Sequence, residues 1–422
     1  MGRITRRTFT LAAAGSTAGF LTLRQAQAGS DTSGPTDGGG GGTADAGGPA
    51  GRAVARDGMR GMWISTVGNL DWPARAGLSA AEARQALSGL LDEAVRFSLN
   101  SVFLQVRPTA DAFWPSPHEP WSQWLTGTQG KDPGWDPLDF AVREAHDRGL
   151  ELHAWFNPYR IALHEDPSRL AAEHPARRHP EWAVPYGGRL YFNPGIPDVR
   201  RHVQTAMLHA VERYPVDGVH FDDYFYPYPV EGETFDDDDA FARWGGEFTD
   251  RADWRRENVN LLVEEMGRQV REVRPKAAFG VSPFGIWRNR GSDPEGSDTS
   301  GLQTYDDLYA DTRRWVREGW LDYVLPQVYW HIGHEAADYA ELVPWWSRVA
   351  EGTGVRLYIG EALYKVGDPA QPAAWQEPAE LSRHLTLCRD HPQVAGQVFF
   401  SATTVAADPL GAMTRVFEDH YR

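Results

Sequence analysis

Val216-Asp-Gly-Val-His-Phe-Asp-Asp-Tyr-Phe-Tyr-Pro-Tyr228 opens as an apolar, strand-forming run and closes on two consecutive carboxylates framed by aromatic rings. Alternation along a strand puts Gly218, His220 and Asp222 on one face, so His220 and Asp222 point the same way. An Asp at the end of such a strand commonly caps the turn that follows. That role suits one acid well and two poorly, because a buried carboxylate without a partner is costly. The pair therefore reads as a site, and the rings beside it suit the flat, apolar faces of a sugar.

Outward from this stretch, apolar strand-like runs alternate with helical patterns. Arg60–Thr66, Ser101–Arg107 and Leu150–Asn157 precede it as strands, and Ala277–Ser282, Leu321–Trp330, Val355–Glu361 and Ala395–Ser401 follow. Helices are expected over Ser79–Ser98, with Ser79 and Glu82 as a capping box, and over Asp136–Arg148, closed by Gly149. Others are expected over Asp198–Tyr214, Asp253–Arg274, Tyr305–Glu318 and Pro409–Tyr421. Eight strand-then-helix units predict an α/β fold, a (β/α)8 TIM barrel, over residues 57–422. Nearly every strand ends on a polar side chain: Ser65, Gln105 and Arg107, Asn157, Asp222, Ser282, Gln327 and Tyr329, Glu361, Ser401. One such residue is ordinary, but a full set at the C-terminal end is where this fold carries its active site. The insertion after the fourth strand is a candidate lid.

Several of these strands carry recognisable motifs. Gly218–Tyr228, Gln105-Val-Arg-Pro108, Trp155-Phe-Asn-Pro-Tyr-Arg160, Ser282-Pro-Phe-Gly-Ile-Trp287, Pro326-Gln-Val-Tyr-Trp330 and Tyr358-Ile-Gly-Glu-Ala-Leu-Tyr-Lys365 resemble the glycosyl-hydrolase-like 10 family of bacterial proteins. The resemblance runs from Arg60 to the C-terminus. It implies a TIM barrel and cleavage of peptidoglycan glycan strands stripped of their stem peptides. Asp217-Gly-Val-His-Phe-Asp222 is also similar to the nucleophile-bearing strand of the α-amylase clan and to the chitinase strand. The chain departs from both: Tyr224 replaces the chitinase acid, and the fifth strand lacks the α-amylase acid.

Glycoside cleavage ordinarily needs two carboxyl groups, one acid and one base or nucleophile. Asp222 is expected as nucleophile or base, with the acid either Asp223 or Glu361, the latter reaching across the mouth. A substrate acetamido group is an alternative nucleophile, with Asp222 and Tyr329 orienting its oxygen. Arg107, Asp111, Asn157 and Arg160 suit hydroxyls or a lactyl carboxylate, and Arg107 with Asp111 could equally form a structural pair. Gln105, His220, Tyr224, Ser282 and Gln327 complete the expected polar lining. Trp63, Trp155, Trp287, Tyr329 and Trp330 are candidate stacking platforms, or else core.

Composition narrows the partners. The formal net charge of −16 argues against nucleic acid and anionic membranes. The 17 Trp and 15 Tyr exceed what core packing asks, and a polysaccharide partner fits them. Cys388 is the only cysteine, so no internal disulfide forms and the core must hold the fold alone. Thr5-Arg-Arg-Thr-Phe-Thr-Leu11, an apolar run to Leu23 and Ala26-Gln27-Ala28 read as a twin-arginine signal over residues 1–28. Residues 29–56, rich in Gly and Ala, read as a spacer. The expected protein is secreted or cell-wall associated, with no membrane anchor after signal cleavage. His153, His220, His331 and His334 match no metal-ligand spacing, and Phe235–Asp239 lacks the pattern of a Ca²⁺ loop, so no metal or cofactor is expected. The alternatives to a glycosidase are a non-catalytic polysaccharide-binding barrel and a metal-dependent polysaccharide deacetylase.

Overall fold

The computed structural model describes residues 58–422, and the signal and spacer segments read from the sequence lie outside them. In chain order the strands are β1 (Met59–Ile64), β2 (Ser101–Arg107), β3 (Glu151–Phe156), β4 (Arg160–Ala162), β5 (Ala183–Tyr186), β6 (Arg189–Phe192), β7 (Gly218–Phe221), β8 (Ala278–Val281), β9 (Tyr323–Val324), β10 (Arg356–Glu361) and β11 (Val394–Phe399). Eight of them close a parallel barrel in the order β1, β2, β3, β7, β8, β9, β10, β11, with β11 returning to β1. This is the (β/α)8 architecture that the alternating pattern predicts.

The helices Ala80–Arg96, Pro137–Asp147, Pro197–Arg213, Arg251–Val273, Tyr339–Ala350 and Glu380–Cys388 bury apolar stripes against the outside of the sheet. Local signals fix their ends. Ser79 accepts from Glu82 N at 3.2 Å while its own N–H reaches the Glu82 carboxylate at 2.8 Å, the reciprocal cap expected. Asp136 caps the next helix and Gly149, at φ 72°, ends it in the left-handed conformation that glycine adopts without strain.

The barrel interior explains two glycines. A Cβ on Gly218 would lie 2.1 Å from the His153 ring, and one on Gly280 would lie 2.2 Å from the Tyr323 ring. Their absence makes room for a buried polar column. The Tyr323 hydroxyl lies 3.1 Å from His153 Nδ1 and 3.0 Å from His220 Nδ1. His220 Nε2 in turn accepts from Trp63 Nε1 at 3.2 Å and meets Ser282 Oγ at 2.9 Å.

Three features differ from the sequence reading. β4, β5 and β6 form a separate antiparallel sheet in the order β4-β6-β5, inserted between β3 and β7. The expected sixth barrel strand shrinks to Tyr323–Val324, because Pro326 offers no N–H to the ladder. The expected helix Tyr305–Glu318 is two short helices, Thr304–Asp307 and Thr312–Arg317, broken at Tyr309 with φ 53° and restarted by the Asp311 cap.

Candidate active site

Regular pairing of β7 with β3 and β8 carries the alternation through to its end, so Asp222 emerges at the mouth above His220. Its carboxylate is held by Trp155 Nε1 at 3.1 Å, Asn157 Nδ2 at 2.9 Å and the Tyr224 N–H at 3.2 Å. All three are obligate donors. Asp223 accepts from the Tyr228 hydroxyl and from Gln327 Nε2 at 3.1 Å. Gln327 also donates to the Ser282 carbonyl at 2.9 Å, which ties the site to the polar column below.

Both acids are buried. Burial pushes Asp222 up to about 6, with the Arg160 cation pulling it down and the Asp223 charge pushing it further up. Asp223 is also raised, by burial first, against the opposing hydrogen bonds from Tyr228 and Gln327. Two adjacent acids with this coupling titrate as a pair. A proton on Asp222 would face only donors. On Asp223 it can turn to Tyr228, whose hydroxyl accepts as readily as it donates. The hydrogen bonds thus favour Asp222 ionised and Asp223 protonated.

Arg160 is nearly buried, with its guanidinium 5.1 Å above the Tyr224 ring and its Nε donating to the Pro108 carbonyl at 3.0 Å. Its backbone N–H fixes Asn157 through Oδ1 at 2.9 Å. Among the described residues it forms no ion pair within 4.0 Å. Aromatic rings flank the acids in two groups. Phe284 packs against Tyr228 at 6.2 Å and Trp330 at 5.4 Å, and Tyr329 packs against Tyr364 at 5.9 Å and Phe400 at 6.4 Å. Lys365 donates to the Tyr329 carbonyl at 2.7 Å, and burial lowers it to about 8.

The structure thus connects Trp63, Trp155, Asn157, Arg160, His220, Asp222, Asp223, Tyr224, Ser282 and Gln327 through direct contacts. Gln105 caps the end of β1, its carbonyl oxygen accepting from the Thr66 and Val67 N–H groups at 3.0 and 2.9 Å. Its Nε2 is buried and has no hydrogen-bond partner among the described residues.

Four residues expected at the mouth are engaged elsewhere. Glu361 lies three residues beyond the inward-facing Tyr358 and therefore points outward. Its carboxylate accepts from the Tyr339 hydroxyl at 2.6 Å and pairs with His384 Nδ1 at 2.8 Å, both in the helix layer. It does not reach across toward Asp222. Arg107 is rotated outward by a register shift between Gln105 and Arg107. It makes a fully buried fork to Glu119 at 2.6 and 2.5 Å and donates to the Asn157 and Pro158 carbonyls. The structural partner of Arg107 is therefore Glu119, and Asp111 is not its partner. Asp111 lies buried in the loop after β2, near Thr109, Ser122 and Gln129, where burial raises it to about 7. Trp287 stacks on Trp345 at 6.0 Å and donates to Asp311 at 3.0 Å, within the helix layer.

Sequence reasoning passed over Tyr228 and Lys365, although both lay inside quoted motifs. The aromatic run after Asp223 was the signal for Tyr228. Nothing in the sequence marked Lys365 as buried.

The family model described as "Glycosyl hydrolase-like 10" matches residues 58–377. Glycosyl hydrolase YngK of Bacillus subtilis (strain 168) is 46% identical over 366 residues, 86% of this chain and 72% of the relative. Glycosyl hydrolase DigH of Escherichia coli (strain K12) is 42% identical over 362 residues, 81% of this chain and 82% of the relative. Among solved structures, the PgaB (BpsB) glycoside hydrolase domain from Bordetella bronchiseptica superposes with a TM-score of 0.56 at 11% identity, covering 86% of this chain and 98% of that one. The endo-1,4-beta-mannanase from Rhizomucor miehei gives 0.52 at 9% identity, covering 86% and 97%. These two share the fold.

Proposed function

This chain belongs to the glycosyl hydrolase-like 10 family, and on that premise we propose that it hydrolyses glycosidic bonds in peptidoglycan strands that have lost their stem peptides. The observation that carries the reading is the Asp222–Asp223 pair at the C-terminal end of β7, raised by burial and in contact with the aromatic residues Trp155 and Tyr228. Asp223 serves as general acid, protonating the glycosidic oxygen, and Asp222 stays ionised to offset the positive charge that grows at the anomeric carbon. Rings such as Tyr329 and Trp330 stack on the sugar faces.

Arg160 supports the choice of substrate. A nearly buried guanidinium that forms no ion pair within 4.0 Å among the described residues, its charge reaching Asp222 and Asp223 only at longer range, suits an anionic group on the ligand. Removal of the stem peptide leaves one, the lactyl carboxylate of N-acetylmuramic acid. The twin-arginine sequence at Arg6 and Arg7 supports action outside the cytoplasm, where such strands lie.

Incubating the protein with peptide-free and with peptide-bearing strands tests this reading. Shortening of the peptide-free strands is expected, with Arg160→Gln raising KM more than it lowers kcat. Equal cleavage of both strand types, or no effect of the Arg160 change on KM, would contradict the substrate assignment.

A further inference from the structure

We propose that the nucleophile in this reaction is the substrate's own 2-acetamido oxygen, oriented by Asp222 and Tyr329, with Asp223 as acid and then base. This inference rests on the glycosidase reading above and adds that the bond cut is a β-linkage from a 2-acetamido sugar.

Several carboxylates lie near the strand ends at the mouth, and most are engaged. Asp71 is bound by the Ser65 N–H and by Ser401 and Thr403. Glu119 is locked to Arg107, and Glu361 faces the helix layer. Asp111 is held in its loop beside Ser122 and Gln129. Among these acids near the described strand ends, Asp222 and Asp223 are left, and they are consecutive residues at the end of β7. Cleavage through an enzyme nucleophile requires a carboxylate on the face of the sugar opposite the departing oxygen, with the acid about 5 to 5.5 Å from it. Asp222 and Asp223 are held at the end of β7 by Trp155, Asn157, Tyr228 and Gln327, so the pair is not spread across opposite rims of the mouth. An attacking atom supplied by the substrate itself removes the need for a carboxylate on the far face of the sugar.

In a β-linked 2-acetamido sugar that atom is already in place. The substituent on C2 lies trans to the leaving group, so its carbonyl oxygen can reach C1 from the opposite face. Such assistance converts an attack between two molecules into one within the sugar. What the protein must supply is orientation and charge, and Asp222 is built for both. Trp155, Asn157 and the Tyr224 N–H fix its carboxylate, leaving it ionised to accept from the acetamido N–H. Tyr329 is more than nine-tenths buried, and its hydroxyl makes no hydrogen bond among the described residues. It is a donor available to the acetamido oxygen.

The bonds balance as follows. The acetamido oxygen bonds to C1, the C1–O glycosidic bond breaks, and the departing oxygen takes the proton of Asp223. The acetamido group becomes an oxazolinium whose N–H is held by the Asp222 carboxylate. Asp223, now ionised, takes a proton from water as that water attacks C1. The ring opens, the amide is restored, and the product keeps the starting configuration.

The test uses the full protein on peptide-free strands before and after chemical N-deacetylation, with NMR of the first-formed anomer. Cleavage with retention is expected, slower by at least about 100-fold on N-deacetylated strands, with inhibition by a thiazoline analogue of N-acetylglucosamine. On a dinitrophenyl 2-acetamido-β-glucoside, whose leaving group needs no proton, Asp223→Asn should retain its first step while Asp222→Asn loses it. Inversion, comparable cleavage of N-deacetylated strands, or equal loss in the two variants would overturn this inference and leave the glycosidase reading standing. Strands left intact by the wild-type protein would overturn both.

Discussion

Asp222 and Asp223 share a peptide bond and a buried setting but meet different partners, and the difference assigns their chemistry. Removing a general acid typically costs 10² to 10⁴ in rate, so Asp223→Asn should lower kcat on natural strands by that amount. The pair works with one shared proton, which predicts a bell-shaped pH profile. Both limbs lie above the ordinary carboxylate range, because burial raises both acids. The Arg160 cation lowers Asp222 and Asp223 alike, so Arg160→Gln should move the alkaline limb to higher pH, a shift measurable in kcat/KM. Stability follows linkage in the same direction. The native state keeps a proton on this pair that the unfolded chain releases near its ordinary pKa of about 4, so the pair's contribution to stability falls as pH rises above about 4.

At the scale of elements, the face a residue takes matters more than its place at a strand end. Regular alternation along β7 delivered Gly218, His220 and Asp222 to the interior, as the sequence pattern predicts. In β2 the register shift after Gln105 turned Arg107 outward, and no side-chain pattern betrays such a bulge. Glu361 misled for another reason: Leu357, Tyr358 and Ile359 are all apolar, so the run does not say which face looks inward. Two variants check this account. Glu361→Gln should leave kcat near the wild-type value and lower stability. Burial alone would lower His384, but the Glu361 and Glu380 carboxylates outweigh it and raise it. That pairing stabilises fully below about pH 6.5 and fades as pH rises through the raised native value, so urea titrations should show the largest penalty at acid pH. Arg107→Ala leaves the buried Glu119 carboxylate with only the His202 ring against it and should cost about 3 to 5 kcal/mol in the same assay.

Across the whole molecule, the barrel was legible because eight units repeat one grammar, and repetition outweighs any single misjudged boundary. The β4–β6 sheet was not legible, since its strands span only three or four residues each and carry no sustained period. Closure of β11 on β1 follows from the barrel pattern, but the tie across that seam escaped the sequence: Asp71 joins the end of β1 to Ser401 and Thr403 beyond β11, across more than three hundred residues of chain. With Cys388 buried as the only cysteine, the barrel depends on this packing, and its melting temperature should be the same with and without a thiol reductant. In the proposed function the acid pair on β7 cuts cell-wall glycan. Counting new reducing ends released from purified peptide-free strands tests it most directly, with wild type, Asp222→Asn and Asp223→Asn side by side. The account predicts steady release by wild type and near-complete loss in both variants, while strand binding persists in all three. Strands that stay full length with the wild-type protein, or variants that cut as fast as it does, would contradict it.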